Sequence, residues 1–175
     1  MSLQTGTQLA VTVRPIVDPR QLVVAAFYVE GPALEQTPSV LHPSDIRELS
    51  DLGMIIDNAD KIMSLDGLVR LQQIIDYKFE LIGLKVIDEH GRKLGKVSGY
   101  SVDGANYSVM QLYTEQSLIR SFGTLGNTIH RSQIVSVSND VMVVQAPTVR
   151  DEVKKVTADA TRAFANPFRG GAQPD

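Results

Sequence analysis

The sequence predicts a mainly β protein in which an amphipathic helix joins two small antiparallel β-barrels. Three observations predict it: short strand patterns separated by turn residues, an internal repeat, and a change to helical periodicity between the copies. A second helix and a mobile tail are expected at the C-terminal end. The expected segments are a first barrel over 1–63, a linker helix over 64–82, a second barrel over 83–146, a C-terminal helix over 147–164 and a flexible tail over 165–175.

Composition and charge narrow the class of protein. The hydrophobic content of 43% is ordinary for a globular chain, and the absence of cysteine excludes disulfides, thiolate metal sites and cysteine nucleophiles. No apolar run approaches the roughly 20 residues of a membrane-spanning helix, and the first residues do not resemble a signal peptide. A cytoplasmic location is therefore expected. The net charge of −3, with its acidic excess in residues 1–83, disfavours direct nucleic-acid binding.

An internal repeat organises the chain. The stretch TGTQLAVTVRPIVD (5–18) aligns with HGRKLGKVSGYSVD (90–103), and LHPSDI (41–46) aligns with IHRSQI (129–134). MII (54–56) then aligns with MVV (142–144) in the same order. The shared order and register of these matches indicate a duplication.

The repeat also predicts a missing strand. In the second copy, LIGLKVID (81–88) precedes the glycine turn and reads as a first strand, whereas the first copy has only residues 1–4 there. Either this strand is nearly absent from the first copy or another segment supplies it. An open sheet edge would expose unpaired N–H and C=O groups.

Local patterns fill in the remaining elements. The second copy predicts strands at 107–114, 134–137 and 141–145, the last two joined by an SND turn. Between the copies, apolar residues recur at helical spacing, with Ser64 or Asp66 as the expected N-cap. A second apolar stripe, which includes Val149, Val153 and Val156, predicts the C-terminal helix.

The glycine-rich and basic stretch ELIGLKVIDEHGRKLGKV (80–97) has two interpretations. A phosphate-binding loop requires a fixed glycine spacing followed by a helix, but Gly83, Gly91 and Gly95 do not match that spacing and a strand follows them. The sequence therefore predicts a β-hairpin here, with Gly91 in the turn at positive φ.

The titratable residues do not form a recognisable catalytic or metal-binding pattern. His42 and His130 occupy equivalent repeat positions and are interpreted as strand-end residues, since zinc requires three or four convergent ligands. No catalytic residue, cofactor or metal ligand is therefore predicted. A deep cavity joining His42 or His130 to two carboxylates would contradict that expectation.

Two groups of residues are predicted as interaction surfaces. The first is basic and surrounds the second hairpin, although charged hairpin tips are also common without any function. The second lies in the C-terminal helix and tail, which could dock on the chain itself, on a second copy or on a partner. The residues are Arg92, Lys93, Lys96, Arg131, Val149, Val153, Val156 and Phe168.

The stretches LIGLKVIDEHGRKLGKVSGYSVD and IHRSQIVSVSNDVMVV resemble a PRC-barrel domain, whose hairpin follows the pattern D-x-x-G-x-x-[LI]-G-x-V. Asp88, Gly91, Leu94, Gly95 and Val97 match this pattern in the second copy. In the first copy Gly6 and Leu9 match, with Ala10 in place of the second glycine. The chain is thus similar to a tandem PRC-barrel protein, over 84–145 closely and over 1–57 more distantly.

The resemblance implies non-enzymatic modules that bind proteins. The family includes the cytoplasmic domain of the photosynthetic reaction centre H subunit and the C-terminal domain of the ribosome maturation factor. The resemblance therefore suggests an adaptor that binds protein partners through barrel edges, hairpins or the tail helix, with a homodimer left open. The alternative is a ribosome-maturation-like factor that binds a ribosomal protein near 16S rRNA.

Overall fold

The computed structural model describes residues 1–32, 34, 37–117 and 124–145, and these form one compact unit over Met1–Gln145. The strands of the first half are β1 (Val11–Asp18), β2 (Val23–Glu30), β3 (Ser39–Leu41), β4 (Ile46–Ser50), β5 (Gly53–Ile56) and β6 (Ile62–Ser64). Helix α1 (Val69–Asp76) follows them. The strands of the second half are β7 (Lys85–Asp88), β8 (Lys93–Val102), β9 (Val109–Ser117), β10 (Thr124–His130), β11 (Ile134–Val137) and β12 (Val141–Val144).

The mainly β class is confirmed, but the predicted closure into barrels is not found. The strands form a four-stranded sheet β1-β2-β3-β6, a two-stranded sheet β4-β5 and a six-stranded sheet β10-β9-β8-β7-β12-β11. All pairings are antiparallel except that of β12 with β7. In the described part of the chain, no hydrogen-bonded ladder joins the end strands β10 and β11, so the second sheet stays open.

The repeat explains why the first half has two sheets and the second half has one. Strands β1 to β5 correspond in order to β8 to β12. In the second half β7 lies between β8 and β12 and joins them into one sheet. Among the described residues of the first half, the equivalent place holds only an isolated parallel bridge, from Ser2 to Ile56. No ladder of hydrogen bonds among these residues therefore connects β1 to β5.

The two halves share one core. Its main cluster contains buried side chains of both halves, among them Phe27, Ile56, Leu112 and Met142. The halves also exchange reciprocal hydrogen bonds: Val24 N–H donates to the Tyr107 carbonyl (3.0 Å), and Val109 N–H donates to the Leu22 carbonyl (2.9 Å). Because the two bonds join equivalent residues in opposite senses, the halves meet as if related by a twofold axis.

Helix α1 covers the other face of the first sheet. Leu68, Leu71, Ile74 and Ile75 pack against a small cluster formed by Ile16, Ala26, Val40 and Leu65. The helix is shorter than the expected 64–82, because Ser64 belongs to β6 and uses its Oγ to accept the Asp66 N–H (3.2 Å). Neither of the two expected residues caps the helix, whose N-cap Leu68 makes no side-chain capping bond. The expected helix over 147–164 and the tail lie outside the described residues.

Candidate functional site

The repeat histidines cap short 3₁₀ turns. His42 Nδ1 accepts the Ser44 N–H (3.2 Å) before the turn Pro43–Asp45, and His130 Nδ1 accepts the Ser132 N–H (3.3 Å) before the turn Arg131–Gln133. Each ring also contacts its serine hydroxyl, at 2.7 Å and 2.8 Å respectively. The duplication of this geometry identifies it as a device for closing the turn. The sequence placed both histidines at strand ends but gave no sign of the cap.

The glycine-rich stretch forms the predicted hairpin. Strands β7 and β8 pair antiparallel, and Gly91 in the turn has φ 79°, a conformation that glycine adopts without strain. Asp88 organises this turn: its carboxylate accepts the backbone N–H groups of His90 (2.9 Å) and Arg92 (2.8 Å). Arg92 also donates through its Nε to the same carboxylate. The Asp88 side chain is completely buried. Arg92 therefore stabilises the turn and is not simply a surface charge.

The pKa of Asp88 reflects two opposed effects. Burial raises this pKa, but the hydrogen bonds from the Arg92 backbone, the Arg92 guanidinium and the His90 backbone lower it by more. The net result is a pKa below the ordinary value of an aspartate. The carboxylate is therefore a charged, structural centre of the hairpin.

The structure separates the predicted basic surface into parts with different roles. Lys93 and Lys96 are exposed on β8 and remain available at the surface. Arg131 does not join them, because its guanidinium donates to the carbonyls of Leu22 (2.9 Å) and Val109 (3.2 Å). The remaining predicted contact residues, Val149, Val153, Val156 and Phe168, lie outside the described residues.

The residues before β1 occupy the place that corresponds to the end of β7. Ser2 N–H donates to the Thr7 carbonyl (2.9 Å) and its Oγ accepts the Thr5 N–H (3.3 Å), much as Asp88 holds its own turn. Around it, Ile56 N–H donates to the Met1 carbonyl (3.0 Å) and Leu3 N–H donates to the Ile56 carbonyl (2.8 Å). Ser2 is therefore the counterpart of Asp88.

We call the place beside β1 that corresponds to β7 the open strand position. In the second half this place is filled: Val86 is 1% exposed and lies in register between Gly95 and Met142. In the first half β1 is an end strand of its sheet, and Thr12 is exposed, whereas Val97, its counterpart in β8, is 2% exposed. The side of β8 that β7 covers in one half thus corresponds to an exposed side of β1 in the other.

A cavity of about 270 Å³ marks the same place. Its walls expose polar and apolar atoms about equally and come from β1, β2, β3, β5 and β6, together with Leu52 and the residues that precede β1. Its lining includes Met1, Leu9, Ala10, Val29, Leu41, Met54 and Ile56. An extended segment entering here could pair with β1 and place apolar side chains in the cavity, which is the geometry of strand addition.

A second, larger cavity of about 860 Å³ lies between the halves and is lined by His42, Asp18 and Glu48 among others. Its lining therefore contains a histidine and two carboxylates, the combination that would argue for an enzyme. Two of the three groups already have structural partners. Asp18 pairs with Arg20 (Nε to Oδ1, 3.2 Å), and His42 caps its turn as His130 does elsewhere. Repetition of the histidine geometry favours a structural role at this site.

A third cavity, of about 410 Å³, lies beside helix α1 and shares Ala25, His42, Arg70 and Ile74 with the larger one.

Within the described ranges, no cluster of three or more histidine or acidic side chains is arranged to hold a metal ion. In the same ranges, no helix has the length and apolarity needed to cross a membrane. Protein-family models and curated proteins gave no match to this chain.

Proposed function

We propose that this chain is a non-enzymatic protein-interaction module of PRC-barrel type, which binds a partner by accepting a β-strand at the open strand position. One observation carries the proposal: β7 fills this position in the second half, whereas the first half has only the bridge from Ser2 to Ile56 there. The partner segment should be extended and carry small or branched apolar residues at alternate positions, as Val86 of β7 and Leu84 just before it do.

The direction of the backbone groups supports strand addition. In the second half, Val97 N–H donates to the Leu84 carbonyl (2.9 Å), and the Val97 carbonyl accepts the Gly83 N–H (2.7 Å). Thr12 is the counterpart of Val97 in the repeat, so its N–H and C=O should face the incoming strand. An edge of this kind binds partners through main-chain bonds and selects among them through its side-chain pockets.

A peptide copied from the chain itself provides a direct test. The hexapeptide LIGLKV, residues 81–86, ends where Met1 and Ser2 begin, and it is expected to bind the open strand position and to protect the Thr12 amide from hydrogen exchange. The same peptide with aspartate in place of Val86 is the control, since Val86 is buried in its own sheet and a charge at that place would carry a large desolvation cost. Equal protection by both peptides would contradict binding at this site.

Two variants of Thr12 test the function with natural partners. Thr12→Pro removes the outward N–H from an edge strand, whereas Thr12→Val keeps it and changes only the side chain. We expect a specific partner to bind the valine variant and to be lost from the proline variant. If both variants capture the same proteins equally well, the partner binds elsewhere.

The ribosome-maturation-like role is the alternative proposal, and the exposure of Lys93 and Lys96 on β8 is the observation in its favour. Reversing both charges with glutamate should weaken co-sedimentation with ribosomes if this surface binds near rRNA. Arg92 is left unchanged because it also holds the Asp88 turn. Unchanged co-sedimentation would exclude this surface.

A further inference from the structure

Arg131 fills a site built from backbone carbonyls at the junction of the two halves. Its Nη1 donates to the carbonyls of Leu22 (2.9 Å) and Val109 (3.2 Å), and its Nη2 donates to the carbonyl of Gln21. A planar guanidinium suits such a cluster because its donors point in fixed directions within one plane. One side chain thus satisfies carbonyls from both halves.

The twofold relation between the halves creates a second site of the same kind. The counterparts of Gln21, Leu22 and Val109 are Asn106, Tyr107 and Val24, and all three line the cavity of about 860 Å³. The counterpart of Arg131 is Pro43, which follows His42 as Arg131 follows His130. Proline has no side-chain donor. The second carbonyl site therefore has its acceptors without the arginine that would satisfy them.

The hydrogen bonds at the two sites correspond closely. The Leu22 carbonyl accepts the Val109 N–H (2.9 Å) and, in addition, the Arg131 guanidinium. The Tyr107 carbonyl accepts the equivalent Val24 N–H (3.0 Å), and no side chain in the described part of the chain donates to it. In that part of the chain, no side chain donates to the Asn106 carbonyl either. The cavity is thus preformed by the same backbone geometry that binds Arg131.

The charges around the cavity are mixed. Asp18 pairs with Arg20 and Arg47 pairs with Asp57 (Nε to Oδ1, 2.9 Å), so these pairs contribute little net charge. Glu48 and Arg70 also line the cavity. The carboxylate of Glu48 favours a cationic ligand and the guanidinium of Arg70 opposes one. Removal of the Arg70 charge should therefore strengthen binding.

We propose that the cavity between the halves binds a guanidinium group, the side chain of an arginine, against the carbonyls of Val24, Asn106 and Tyr107. The cavity is much larger than one guanidinium, which leaves room for the backbone of the segment that carries it. That arginine can come from a separate molecule or from this chain, whose undescribed segments contain Arg120, Arg150, Arg162 and Arg169. The site is distinct from the open strand position, and either can exist without the other.

The test is an NMR titration of the full-length chain with N-acetylarginine methylamide. We expect saturable shifts at the amides around Asn106 and Tyr107, with the lysine analogue binding at least about tenfold more weakly because it lacks the planar fork. Pro43→Arg should abolish the shifts, since the new side chain would fill the site as Arg131 does. Arg70→Ala should lower the dissociation constant.

Two further variants make the result decisive. Arg131→Ala empties the second-half site, so the probe should then also shift the amides around Gln21 and Leu22. The second variant replaces Arg120, Arg150, Arg162 and Arg169 by lysine. If one of these arginines occupies the cavity in the wild type, this variant should bind the probe more tightly than the wild type. No saturable shift near Asn106 in either the wild type or this variant would overturn the proposal.

Discussion

The shared core makes a sharp prediction about cooperativity. Leu112 is completely buried in the main cluster, and its counterpart in the first half, Phe27, is 8% exposed in the same cluster. Truncation of a fully buried leucine costs about 2–5 kcal/mol, and truncation of a buried phenylalanine costs about 3–5 kcal/mol. Because the cluster belongs to both halves, Leu112→Ala should destabilise the first half as much as the second.

Urea unfolding combined with hydrogen exchange measures this effect. With a urea dependence of about 2 kcal/mol per molar, the loss corresponds to a decrease of about 1–2.5 M in the unfolding midpoint. Amides of β2 and β9 should lose protection together in both Leu112→Ala and Phe27→Ala. If Leu112→Ala left the β2 amides protected while those of β9 exchanged, the halves would be independent domains and the reasoning from the shared core would be wrong.

Three further predictions concern local features. Gly31→Ala should lower the melting temperature, because an added Cβ would lie 2.6 Å from a backbone oxygen. The expected loss in the free energy of unfolding is about 1–3 kcal/mol. Gly99→Ala is the control and should be nearly neutral in the same thermal melts, since its added Cβ has its nearest contact at 3.5 Å. The lowered pKa of Asp88 means that its stabilising effect is complete above the unfolded-state pKa of about 3.9 and disappears as the pH falls through the folded-state value. The free energy of unfolding should therefore fall more steeply with decreasing pH below about pH 4 for the wild type than for Asp88→Asn. An equal pH dependence of the two proteins would refute this. His42→Ala and His130→Ala should each cost about 0.5–2 kcal/mol in urea unfolding as lost caps, and replacement by asparagine should cost less because the acceptor remains.

The local elements of the second half could be predicted from the sequence because local chemistry determines them. The hairpin at Gly91 and the strands at 134–137 and 141–145 are confirmed, the last one residue shorter than expected. Glycine at a tight turn and alternating apolar residues act over a few positions, and the repeat supplied an independent check on both. The alignment also showed that the first copy has only residues 1–4 where the second copy has β7.

The long-range features could not be predicted in the same way. The sequence suggested two closed barrels, but closure depends on pairing between distant strands, and here the end strands β10 and β11 remain unpaired with each other. The shared core depends on how the halves meet, which no local pattern encodes. Arg131 was assigned to a basic surface because its charge is visible in the sequence, while two of the three carbonyls that it binds are more than a hundred residues away in the chain. A mismatch in the repeat, arginine against proline, was the one available signal for this site.

The reciprocal bonds between Val24 and Tyr107, and between Val109 and Leu22, also bear on how such a molecule can be assembled. Each half contributes the same patch to the junction, which is the arrangement found in a symmetric homodimer. The chain is thus organised like two subunits joined by a covalent tether at α1. Cleavage of that tether should leave two fragments able to reassociate, and a single half expressed alone should pair with a second copy of itself.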